Sequence, residues 1–67
     1  MKQFINFNGR LVNMSHVMRA QRVDYGGTPS IVLYHTGNRE SSRGYKSAEE
    51  RDAAFALLMK KFAALSI

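Results

Sequence analysis

Sixty-seven residues with no cysteine and a formal net charge of +5 allow one small domain and exclude disulfides and thiolate metal sites. A chain this short buries only about 60% of the surface its unfolded form exposes, so its stability is marginal unless association reinforces it. No run approaches the ~18 apolar residues of a membrane span, and the opening MKQFINFNG lacks a signal peptide's apolar core, so a cytoplasmic location without a membrane partner is expected.

Phe4, Ile5 and Phe7 around polar Gln3 and Asn6 predict a strand over 2–7. Asn8-Gly9 follows, a pair suited to a type I′ turn because both central positions need positive φ. Arg10 to Asn13 then returns as a second strand carrying Leu11 and Val12, and Asn13-Met14-Ser15-His16 reads as a bend. The segment 17–25 is β-like but badly patterned. Val17, Arg19, Gln21, Val23 and Tyr25 share one parity, and Met18, Ala20, Arg22 and Asp24 the other, so neither register is clean. Tyr25-Gly26-Gly27-Thr28-Pro29 is a turn, with Pro29 expected at a strand's edge or outside it. SIVLYH over 30–35 sets Ile31 and Leu33 on one face and Val32 and Tyr34 on the other. Gly37-Asn38 suits a tight II′ turn, and RESSRGY over 39–45 reads as a polar strand.

The segment 47–65, SAEERDAAFALLMKKFAAL, is a helix with both ends marked. Ser47 and Glu50 form an S-x-x-E capping box. Glu49, Glu50 and Asp52 lie in the first turn, and Lys60 and Lys61 near the end, matching the helix dipole. Phe55, Leu58, Met59, Phe62 and Leu65 form one apolar stripe for a core. The expectation is a single α+β domain over 1–67: a four- to five-stranded antiparallel β-meander, one layer thick, packed against one C-terminal α-helix over about 48–65. Off the main stripe lie Ala53, Ala56, Leu57, Ala63 and Ala64, a back that is less polar than a lone surface helix usually shows. Alanine serves helix propensity there, or Ala53, Leu57 and Ala64 belong to the interface of a homodimer.

Charge is uneven along the chain. Residues 1–46 hold seven cations against Asp24 and Glu40, while 47–67 are neutral. A basic body points to a polyanionic partner. Groups for catalysis are few: His16 and His35 are the only histidines, and no H-x-x-x-H or HExxH spacing exists. Ser41 and Ser42 lack a nucleophile motif, and Gly26-Gly27 lacks the lysine and Ser/Thr of a phosphate cradle. No catalytic residue, metal site or cofactor is therefore expected; the chain does not read as an enzyme. Single strands are held by cations along phosphates and aromatic platforms under bases. Arg19, Arg22, Arg39, Arg43 and Lys46, with Tyr34 and Tyr45, are the candidates, and single-stranded DNA or RNA is the expected partner. The alternative is a small regulatory protein binding a host or partner protein through the Leu57 face or a sheet edge.

The order of elements, a curved meander and then a helix, resembles the ββββα unit of whirly, Pur-type and transcriptional-coactivator-type single-strand binders. Those families imply dimers that hold nucleic acid on or between their sheets. The likeness is one of layout over most of the chain and carries over no functional residue. Phe4-Ile5-Asn6-Phe7-Asn8-Gly9, Leu11-Val12-Asn13 and Ser47-Ala48-Glu49-Glu50 with Ala53 or Ala54 also resemble small bacterial, phage and plasmid proteins of unknown function. These pieces are hairpin and cap chemistry, and they specify fold better than function.

Overall fold

Five strands and one helix appear in the expected order in the structure, a computed structural model that describes residues 4–62. The strands are β1 (Phe4–Phe7), β2 (Arg10–Asn13), β3 (Val17–Tyr25), β4 (Thr28–His35) and β5 (Arg39–Gly44); α1 is Ala48–Lys61. The fold is α+β, as expected, but the strands do not form one layer. β1 and β2 pair as a separate two-stranded sheet, while β3-β4-β5 form a three-stranded antiparallel sheet. Both the β1–β2 hairpin and α1 send side chains to the same side of β4. Phe7 and Val12 join Ile31 and Leu33 in the buried cluster, with Ala54, Phe55 and Leu58 of α1 packed against it.

Turn chemistry fixes the hairpins. Asn8 and Gly9 have φ of 55° and 77°, the type I′ pattern, and the Gly9 amide donates to Asn6 Oδ1 at 3.0 Å. Gly26 and Gly27, at 56° and 86°, suffice for a second two-residue turn, so Tyr25 pairs with Thr28 and β4 starts two residues before the expected Ser30. Pro29 is thereby inside the central strand. Its carbonyl accepts from the Tyr45 amide at 2.7 Å. A strand residue's N–H and C=O point the same way, so the missing N–H faces the side where β5 has already ended. The next loop is not the expected II′ turn. Residues 36–38 separate His35 from Arg39, and Asn38 as well as Gly37 has positive φ. Asn13-Met14-Ser15-His16 is a 3-10 turn capped by Asn13, whose Oδ1 accepts from the Ser15 amide at 3.0 Å.

The mixed pattern of β3 comes from a bulge at its start and from charged residues on its helix side. Val17 pairs with His35 but Arg19 pairs with Tyr34, leaving Met18 as an extra residue. The extra residue switches parity, so Val17 and Ala20 both reach the core. Past the bulge Arg22 and Asp24 share the helix side, while Arg19, Gln21, Val23 and Tyr25 face away.

α1 begins where the cap demands. Ser47 Oγ accepts from the Glu50 amide at 3.2 Å, satisfying one orphan donor of the first turn. The helix closes at Lys61 with Phe62 as its cap; Leu65, Ala63 and Ala64 lie outside the described residues. Its sheet-facing stripe is Arg51, Ala54, Phe55 and Leu58, all half-buried, whereas Met59 is exposed.

Candidate nucleic-acid interface

The seven expected contact residues do not share one face. Ile31 and Leu33 point to the helix, so their register partners Arg22 and Arg43 do too. Arg22 is used there: its guanidinium lies 5.1 Å from the Phe55 ring centroid and 3.7 Å from Asp52. Arg43 stacks 4.7 Å over Tyr45, which packs against the core. On the opposite face Arg19 and Tyr34 are cross-strand partners, with the guanidinium 4.2 Å over the ring. Arg39 opens β5, and Lys46 is exposed in the link to α1.

The outer face carries its own small structure. Val32, between Gln21 and Ser42 in register, is 1% exposed although it points away from the helix. Tyr25 and Glu40 meet on this face, with the phenol donating to Glu40 Oε1 at 3.0 Å. Their register partners on β4 are Thr28 and Tyr34, which a flat strand would set about 20 Å apart. A single side-chain bond spans that offset only if the sheet twists, which brings these two diagonal corners toward each other. The same bond, then the charge of Glu40, pushes the Tyr25 phenol above its ordinary value of 10.0.

Two hollows meet at Arg39. One, about 560 Å³, lies between β2 and the β4–β5 loop and is lined by Arg10, Val12, His16, His35, Arg39 and Ser41 among others. The other, about 790 Å³, includes Arg19, Tyr34, His35, Arg39 and Glu40. His35 Nε2 and Ser41 Oγ are 2.9 Å apart and hydrogen-bonded. Arg10, Arg19 and Arg39 take part in no ion pair among the described residues, whereas Arg22 and Arg51 do. Arg10, His16 and His35 were not among the expected contact residues. No local pattern in the sequence brings a hairpin arginine at position 10 beside the start of β5; only the docking of the two sheets does.

Arg51 is the other residue that the apolar pattern hides. Its side chain is 14% exposed, and Nη1 donates to the Val23 carbonyl and to Asp24 Oδ1, each at 3.2 Å. Nε donates to Asp52 Oδ1 at 3.0 Å. A cation in the first turn thus ties the helix to β3.

Of the expected dimer residues, Ala53 and Leu57 are exposed, Leu57 at 68%, and Ala64 lies outside the described residues. Leu57 forms one lip of an apolar groove of about 250 Å³ that reaches Ile31 and is flanked by Ile5, Tyr45 and Leu58. Among the described residues no three histidine or acidic side chains gather as a metal site would require, and no helix is long and apolar enough to cross a membrane. No protein-family model, curated protein or solved structure matches the chain.

Proposed function

We propose that this chain is a non-enzymatic binding module for single-stranded DNA or RNA, acting as a homodimer. One observation carries the reading: Arg39 is a shared wall of two hollows, one holding Arg10 and the other Arg19 stacked on Tyr34. Three cations and a ring thus lie along one path around the β4–β5 loop. Phosphates take the unpaired guanidiniums bidentately. Unstacked bases lie on aromatic rings or on guanidinium planes, and the Arg19–Tyr34 stack offers a guanidinium plane backed by a ring. Duplex DNA has its bases already stacked and gains only the phosphate contacts.

The test is fluorescence anisotropy with labelled single- and double-stranded oligonucleotides across a salt series. Single strands should bind more tightly, with a steep salt slope. Each of Arg10→Ala, Arg19→Ala and Arg39→Ala should reduce that slope by roughly 0.7, the value for one phosphate contact on a single strand. Arg22→Ala is the control, because Arg22 is engaged with Asp52 and Phe55; it should leave the slope unchanged. Absence of binding at low salt would remove the reading. It would leave the regulatory-protein alternative, favoured by the exposed Leu57 beside an apolar groove, with binding that depends little on salt.

A further inference from the structure

The face of α1 turned from the sheet has a pattern that a second copy completes. Glu50, Ala53, Leu57 and Lys60 follow 3-4-3 spacing and are all exposed, so they form one stripe along the helix. That is the spacing of a two-helix seam. Lys60 and Glu50 form no ion pair within the chain among the described residues. Leu57, at 68% exposure, is a large apolar side chain standing beside the small Ala53.

We propose that two copies dock through α1 in antiparallel orientation about a two-fold axis, with each Leu57 seated on the other copy's Ala53. The register follows from the sequence. Setting residue 53 opposite 57 places 50 opposite 60, so Glu50 of each copy meets Lys60 of the other, twice by symmetry. A two-fold interface must be self-complementary, and this stripe is: acid against base at both ends, large against small in the middle. A parallel arrangement would set Glu50 against Glu50 and Lys60 against Lys60. The need for a partner is physical as well. The described core contains five buried apolar residues, few for an independently stable domain.

This interface specifies the homodimer of the function proposed above, and its test omits nucleic acid. Sedimentation equilibrium of the wild type should give a dimer. Leu57→Asp should weaken self-association at least about a hundredfold, since the anchor is lost twice, while far-UV circular dichroism stays unchanged because Leu57 does not reach the core. E50K alone and K60E alone should each weaken it roughly tenfold. Mixed together, those two chains should form a heterodimer, and E50K/K60E should recover wild-type affinity. A dimer indifferent to all these substitutions overturns this interface and leaves the dimer itself standing. A wild type that is monomeric at high concentration overturns both.

Discussion

Replacing Arg51 with methionine should be costly, despite the apolar replacement and despite the charged neighbours Glu49, Glu50 and Asp52 that make this stretch read as surface. Methionine preserves most of the stem and its packing, so the change isolates the hydrogen bonds. The bond to the Val23 carbonyl is a charged donor on a backbone acceptor in a part-buried setting; such bonds contribute about 1.5–3 kcal/mol. The pair with Asp24 is weaker, because that carboxylate is 71% exposed and exposed pairs contribute about 0.2–1 kcal/mol. The contact with Asp52 joins neighbours on one helix and holds nothing across the interface. The loss is therefore about 2–3 kcal/mol, against a total of about 3–10 kcal/mol expected for a domain of this size.

Urea unfolding followed by circular dichroism reads this directly. With a slope of about 1 kcal/mol per molar for so small a chain, the midpoint should fall by roughly 2–3 M. Asp24→Asn should cost under about 1 kcal/mol, and 1 M salt should shrink that smaller effect while leaving most of the Arg51 effect. A change below about 0.5 kcal/mol for Arg51→Met would place it among ordinary surface substitutions and refute the anchoring role.

The Tyr25 phenol should ionise above 10.0 because ionisation breaks its bond to Glu40 and sets two anions together. A raised folded-state pKa means stability that is complete below the ordinary tyrosine value and lost as pH climbs through the folded one. NMR titration of ring-labelled tyrosine should show this, with Glu40→Gln bringing Tyr25 down; a Tyr25 that ionises at or below 10 would refute it. Gly44→Ala should cost about 1–3 kcal/mol through overpacking, since the added Cβ would lie 2.9 Å from Thr28 Cγ2. Thr28→Ser removes that methyl, so the double variant should recover most of the loss in thermal unfolding; no recovery would locate the strain elsewhere.

Local chemistry was legible in the sequence, and long-range placement was not. Asn8-Gly9 and Ser47 specify their turn and cap through φ requirements and one hydrogen bond each, so neighbouring residues are enough to identify them. The parity of β3 could not be read because the bulge at Met18 switches faces at the start of the strand and its helix side then carries Arg22 and Asp24; Met18 itself carries no bulge signal. The split into two sheets depends on Phe7 and Val12 finding Ile31 and Leu33, a tertiary choice open to any hairpin with apolar alternation. The contact residues suffered most from this. Arg22 and Arg43 read as free cations in the sequence, yet both lie on the side that α1 and the hairpin cover. Arg10 read as an ordinary strand residue, yet it shares a hollow with Arg39.

The same division fixes a stoichiometry. α1 lies on one side of β3-β4-β5, and the Arg19–Tyr34 stack lies on the other. Pairing two copies through the outer stripe of α1 therefore turns the two stacks away from each other, with both sheets and both helices between them. A short oligonucleotide long enough for one path around the β4–β5 loop cannot engage both copies at once. It should bind one strand per chain, two per dimer, with equal affinity and no cooperativity in isothermal titration. A strand long enough to wrap from one face to the other should gain avidity in proportion to its effective concentration at the second site. One short strand per dimer would require the two stacks to converge, and that result would refute either the antiparallel helix pairing or the contact set built on the Arg19–Tyr34 stack. Leu57→Asp separates the two: a variant that stays dimeric rejects the pairing and keeps the contact set, whereas a monomer keeps the pairing and rejects the contact set.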